Sequence, residues 1–213
     1  ASDVYKRQVT IGASVGVAVK NGAFDANEAI RQADIALYHA KAAGRNTYAI
    51  FGEHMDELLR KRRAMEADLR KAVNGRAEIE IFYQPVFSAR DGMLCSLEAL
   101  ARWNHPTLGY VSPGEFIPLA EECGLIHEIG AIVLEDACSM LAHFPDIDIA
   151  LNASLLELCS PAYPLNVIAA LEKWKVSANR LEIEITESAA TGEDGRSERT
   201  IAALRAAGVR FAI

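Results

Sequence analysis

Residues 94–103, LCSLEALARW, set a carboxylate, Glu98, and a guanidinium, Arg102, inside an otherwise apolar run. Removing either charge from water is costly unless it finds a partner. On a β-strand, Leu94, Ser96, Glu98, Leu100 and Arg102 share one face. The two charges then lie ~13 Å apart at ~3.3 Å per residue, too far for a salt bridge. On a helix they would be neighbours and an ordinary ion pair would explain them. The turn signal Arg90-Asp91-Gly92 before the run, and Trp103-Asn104-His105-Pro106 at its end, favour the strand. Two independent charges on one strand then suit a carboxylate for a metal and a guanidinium for a phosphate.

Three further residues could join them. In LEIEITE, 181–187, Glu187 falls in phase with Leu181, Ile183 and Ile185 at the C-terminal end of an expected strand. Barrel enzymes carry their chemistry at that end, although an acid there also suits a helix N-terminus. Asn152 ends IDIALN, 147–152, and its amide oxygen suits a hard cation or a cap for the next helix. Gln84 precedes Pro85; its paired donor and acceptor could read a base edge or close a turn.

The elements that must position these groups follow from the hydrophobic rhythm. A strand over 9–19, a helix over about 27–43, a strand over 46–51 and a polar helix over about 53–73 come first. In the polar helix Glu57/Lys61, Asp56/Arg60 and Glu66/Arg70 run acid-first at four-residue spacing, which marks an exposed surface. Leu58, Met65, Leu69 and Ala72 form a thin apolar seam on it, suited to a linker helix with weak self-association or to docking on one neighbour. After Asn74-Gly75 a hairpin of strands, 78–88 and 93–103, leads to helices at 113–123 and 126–143. Strands at 147–152, 181–187 and 209–213 then alternate with helices near 163–174 and 196–208. Such alternation predicts parallel strands with crossover helices. A complete barrel of that kind takes roughly 250 residues, so the expectation is a part of one.

Composition narrows the function classes. The chain has 22 Lys and Arg against 29 Asp and Glu, a net charge of −7, which argues against a DNA or RNA polymer as partner while permitting a small nucleotide in a local cationic pocket. Cys95, Cys123, Cys138 and Cys159 show no metal-binding spacing and read as free thiols of a reducing cytoplasm. The apolar runs fall short of the ~20 residues that span a bilayer; attachment through another region of a larger parent stays open.

Taken together, YQPVF at 83–87, SLEALARWNHP at 96–106, SPGEFIPLAEECGLI at 112–126 and the TE of 181–187 resemble the EAL domain family, phosphodiesterases that hydrolyse cyclic di-GMP. ASVGVAV and ADIALYHAKAAGRN, 33–46, resemble the end of a GGDEF domain, the family that makes cyclic di-GMP from GTP. The resemblance implies an α/β chain in four parts. Residues 1–8 match nothing and are set apart. Residues 9–52 are the C-terminal part of a GGDEF-like domain, 53–76 a linker helix and 77–213 the N-terminal part of an incomplete EAL-type (β/α) barrel. It also implies roles: Glu98, as the catalytic ligand, with Asn152 and Glu187 for Mg²⁺ or Mn²⁺; Arg102 for a substrate phosphate; Gln84 for a guanine. In the GGDEF-like part Lys41 and Arg45 would meet GTP phosphates, although basic groups at a helix C-terminus also suit the helix dipole. A homodimeric parent is implied as well.

The expected function is therefore two-metal hydrolysis of cyclic di-GMP to pGpG by the parent. The alternatives are a non-catalytic cyclic di-GMP receptor and an unrelated metal-dependent barrel hydrolase. The family's later aspartate pair and lysine do not occur in these residues. Three ligands with two negative charges should bind Mg²⁺ or Mn²⁺ weakly, so the 213 residues alone are expected to show no useful activity.

Overall fold

The run around Glu98 does form a strand, and it is central to the sheet that carries the site. The computed structural model describes residues 12–19, 22, 25–75, 77–187 and 195–213. The chain divides into two compact units, Ala1–Met65 and Glu66–Ile213.

In the first unit β1 (Val15–Val17) and β2 (Tyr48–Ile50) pair in parallel, joined through α1 (Ala26–Ala42). Asp25 starts α1 by accepting the Asn27 amide at 3.0 Å, the usual way an N-terminal turn satisfies its donors. The helix presses so closely on β1 that a Cβ on Gly16 would sit 2.0 Å from the Ala33 carbonyl; only glycine fits. Residues 1–11 of the expected N-terminal segment lie outside the described residues. Lys41 falls in the last turn of α1 and Arg45 beyond its end, with φ 62°.

Helix α2 (Glu53–Gly75) follows. The expected acid-first pairs form, with Lys61 Nζ 2.7 Å from Glu57 and Arg70 Nη2 3.4 Å from Glu66. Exposed pairs of this kind contribute little. The apolar seam is buried only towards its C-terminal end: Leu58 is 50% exposed, whereas Leu69 is 0% exposed and Ala72 and Val73 are buried. No helix among the described residues is long and apolar enough to cross a membrane.

In the second unit β3 (Ile79–Phe87) and β4 (Leu94–His105) form an antiparallel hairpin. The turn closes as the sequence predicts, with Gly92 at φ 71° and the Asp91 carboxylate accepting the Met93 amide at 3.2 Å. β5 (Gly109–Val111) folds back on β4, an extra ribbon the hydrophobic rhythm does not reveal. Helices α3 (Pro113–Cys123) and α4 (Ile126–His143) lead to β6 (Ile149–Asn152). The short α5 (Leu155–Leu158) and α6 (Tyr163–Trp174) lead to β7 (Leu181–Glu184), and α7 (Arg196–Ala206) to β8 (Arg210–Ala212). Six strands form one sheet in the order β3-β4-β6-β7-β8, with β5 beside β4. β4, β6, β7 and β8 run parallel, as the alternation requires.

The sheet has two unlike faces. Ala99, Trp103, Ile149, Leu151, Leu181 and Ile183 are buried on the side that packs against the helices. Gln84, Glu98, Asn152, Glu182 and Glu184 lie on the other side by alternation along the paired strands.

One carboxylate is buried on the helix side. Glu157 is 3% exposed. It accepts the Ser154 amide at 2.9 Å, while Ser154 Oγ accepts the Glu157 amide at 3.2 Å, a reciprocal cap on α5. Gly130 of α4 makes the room, since a Cβ there would lie 1.8 Å from Glu157 Oε1. Burial pushes this carboxyl from 4.5 up to about 7, with Glu121 adding to it against the Ser154 hydrogen bonds. The unfolded chain therefore ionises first. Below pH 4.5 there is no penalty; from there to about 7 stability falls, and above that the full cost persists. Glu157→Gln, which keeps an acceptor for Ser154, is expected to flatten this decline and to raise the melting temperature more at pH 8 than at pH 4. Melting curves across that range check it, and an unchanged slope would disprove the assignment.

Candidate functional site

The register of three parallel strands builds the site. Glu98 of β4 aligns with Ala150 of β6, and Asn152, two residues on, aligns with Glu184 of β7. Glu98, Asn152 and Glu184 thus stand on the face away from the helices, at the level where β6 and β7 end. Asn152 Nδ2 donates to Glu98 Oε1 at 2.7 Å. Burial raises the Glu184 carboxyl above the usual carboxylate range, and the charge of Glu98, then of Glu182, raises it further. Two carboxylates feel each other's field here, with an amide dipole bonded to one of them. Among the described residues no three His, Cys, Asp or Glu side chains form a cage by themselves. The cluster is two acids and one amide, an all-oxygen set once the amide turns its carbonyl inward, and such sets fit hard divalent cations.

Two other groups share this face. Gln84 is the direct cross-strand partner of Glu98 and is exposed. Arg102 lies four residues beyond Glu98 and half-buried. Its Nη1 donates to the Ala101 carbonyl at 3.1 Å, and its Cζ sits 5.8 Å from the centre of the Phe82 ring. The two charges of β4 do take separate partners, as their spacing demands. A cavity of about 540 Å³ opens at this rim, lined by Arg102, Asn152 and Glu184 together with Pro113, Ile117 and Thr186.

The sequence matches the EAL domain family over residues 66–213. The chain belongs to the EAL domain family. Residues 2–47 match the family described as diguanylate cyclase, GGDEF domain, so that match takes in residues 2–8 and the EAL match takes in the last turns of α2. An uncharacterized signaling protein of Caulobacter vibrioides is 40% identical over 97% of this chain and 26% of its own length. The bifunctional diguanylate cyclase/cyclic di-GMP phosphodiesterase MucR of Pseudomonas aeruginosa is 35% identical over 99% of this chain and 31% of its own. A solved structure of the PaMucR phosphodiesterase in complex with c-di-GMP superposes with a TM-score of 0.65 at 36% identity, covering 69% of this chain and 61% of that one. The chain thus spans less than a third of these two curated relatives. Its fold is the α/β architecture of EAL domains, preceded by the GGDEF-type piece.

Within this EAL unit the placement of one expected ligand needs correction. β7 ends at Glu184, and Glu187 is exposed beyond it. Glu187 was expected in phase with Leu181, Ile183 and Ile185, but that phase faces the helices, where all three are buried. The acid that meets Glu98 and Asn152 is Glu184, on the opposite phase. The alternation within LEIEITE could have found it, because in a barrel the helix-facing side of a strand is the apolar one and the lumen side carries the chemistry. In the GGDEF-type piece, Lys41 and Arg45 are both exposed, and α1 ends between them. Lys41 is in its last turn and Arg45 just past its C-cap, Ala43.

If Glu184 rather than Glu187 shares the site, Glu184→Gln removes like-charge repulsion and is expected to raise the melting temperature in the presence of a chelator, by about 1 °C or more. The same substitution should abolish the upward shift that Mg²⁺ or Mn²⁺ produces, while Glu187→Gln should leave it. Calorimetric melts with and without the cation distinguish the two, and the reverse pattern would restore Glu187.

Proposed function

We propose that the EAL unit provides the cyclic di-GMP site of a phosphodiesterase that hydrolyses one phosphodiester bond of the ring to give linear pGpG. The observation that carries this reading is the convergence of Glu98, Asn152 and Glu184 on one face, with Asn152 hydrogen-bonded to Glu98 at 2.7 Å and Arg102 at the same rim. The likeness to MucR, whose solved phosphodiesterase holds c-di-GMP, supports the same substrate.

In this proposal Glu98 and Glu184 supply negative oxygens and Asn152 a neutral one for Mg²⁺ or Mn²⁺, the cations such donors favour. A divalent cation held there supplies a water of lowered pKa and offsets charge on the leaving oxygen. Arg102 receives a phosphate oxygen of the dinucleotide, its planar fork matching that geometry. Gln84, beside Glu98, orients a guanine edge through its donor and acceptor. With two negative charges, the three donors alone hold a cation weakly, and these 213 residues by themselves turn over little substrate. Lys41 and Arg45 meet GTP phosphates in the GGDEF-type part, and the parent works as a homodimer.

Glu98→Ala in the full-length parent is expected to lower turnover of cyclic di-GMP in Mg²⁺ or Mn²⁺ by about a hundredfold or more, the scale of losing an electrostatic catalytic group. Assay of pGpG release checks it; near-wild-type turnover would defeat the metal assignment. Binding of cyclic di-GMP with no pGpG from the unaltered parent would identify a receptor instead.

A further inference from the structure

We propose that Asp68 and His105 form a positioning pair that holds the end of β4, and with it Arg102, in place for the substrate phosphate, so that the last turns of α2 are part of the support of the binding site. The inference rests on the phosphodiesterase reading of Arg102.

His105 is 5% exposed, and its ring works at both ends. Nδ1 accepts the backbone amides of Thr107 at 3.2 Å and Leu108 at 3.1 Å. An acceptor of two amide protons carries none itself, so the ring proton is on Nε2. Nε2 faces Asp68 Oδ2 of α2 at 3.3 Å. One imidazole therefore ties the β4–β5 turn to the helix. Trp103, 0% exposed, makes a second tie two residues earlier. Its Nε1 donates to Glu78 at 3.1 Å, and its ring stands edge-on to His105 at 5.2 Å and to Phe116 of α3 at 6.0 Å.

Alternation puts Trp103 and His105 on the helix side of β4 and Arg102 on the other. Arg102 has few constraints of its own. Its guanidinium contacts are the adjacent Ala101 carbonyl and the Phe82 face, and among the described residues no carboxylate pairs with it. The direction in which Arg102 leaves the strand is thus set by the backbone, and the backbone is fixed from the far side. A histidine that only filled the turn would need Thr107 and Leu108 but no acceptor on α2. The Asp68 contact is what exceeds that simpler role. Asp68 is on the helix surface and also pairs with Lys71 at 2.8 Å, an exposed contact whose loss should matter little.

The test uses the full-length parent chain with two readouts: hydrogen exchange of peptides covering 101–111, and calorimetric titration with cyclic di-GMP. Asp68→Ala is expected to speed exchange in that segment and to weaken binding about tenfold, a modest share of what misplacing a binding group can cost. Asp68→Asn, whose amide oxygen still accepts from Nε2, should remain within about twofold of the unaltered chain on the same reasoning. In an Arg102→Ala background, Asp68→Ala should cause no further loss. Unchanged exchange and affinity in Asp68→Ala, or an equal loss of affinity with and without Arg102, would overturn the proposal. Failure of the unaltered chain to bind cyclic di-GMP would defeat the functional reading instead, and the exchange result would still decide whether the pair holds β4.

Discussion

A carboxylate that must stay next to another carboxylate is the constraint around which this sheet is organised. Glu98 and Glu184 come from strands that are not neighbours; β6 lies between them. Their proximity exists only because β4, β6 and β7 hold a single register, with Glu98 level with Ala150 and Asn152 level with Glu184. A slip of one residue would send each side chain to the opposite face. What forbids the slip is the helix-facing side, where Ile149, Leu151, Leu181 and Ile183 are almost completely removed from water. Each such residue contributes about 1.5–3 kcal/mol of burial, far more than the repulsion of two partly solvated acids. The apolar face thus enforces an unfavourable juxtaposition on the polar face. Asn152 softens it by donating to Glu98 from between the two strands.

The antiparallel first strand gives the sheet a second property. Because β3 runs against β4, its first residue, Ile79, pairs with Trp103 near the end of β4. The segment that enters the barrel therefore arrives at the rim where the parallel strands finish, and α2, just before it, is brought to the same rim. An all-parallel start would have placed that helix at the opposite end. The division between the two units at Met65 and the start of the EAL match at residue 66 fall together, and both assign the buried turn of Leu69, Ala72 and Val73 to the barrel. By this route a helix that looks like a connector in sequence reaches the neighbourhood of Arg102.

Much of this was legible in the order of residues. The strand character of 94–103 followed from its flanks, and the parallel sheet from alternating periods. The ends of α3, α4 and α6 agree with the expected ones because Ser112, Pro113, Gly124 and the Lys175 turn punctuate them locally. Glu98, Asn152, Arg102 and Gln84 were found as candidates because each sits at a strand position where its type is out of place, and the sheet puts all four on one face. Glu187 stands out in the sequence by its phase with Leu181, Ile183 and Ile185, whereas the sheet brings Glu184 to Glu98. The alternation of LEIEITE does carry the signal, because in a parallel sheet flanked by helices the apolar phase is the covered one. His105 and Glu157 are not marked out by the sequence alone. The partner of His105, Asp68, is distant in sequence; Glu157 has its cap partner Ser154 close by, but its burial depends on the distant Gly130.

Two carboxyl groups are raised by burial, Glu157 and Glu184, yet their surroundings assign them different work. Glu157 is buried on the helix side, accepting from the Ser154 amide and walled by Gly130, with its charge opposed by that of Glu121. Its carboxylate is already engaged by that amide. Glu184 stands on the open face beside Glu98, and its raised affinity for a proton comes partly from that second charge. A divalent cation answers the same electrostatic demand as the proton and answers it for both acids at once. Under the proposed metal role, proton and cation would compete for one site, and cation binding would weaken as the solution becomes acidic. Competition of this kind follows from two acids held on one face by the opposite face's need to stay dry.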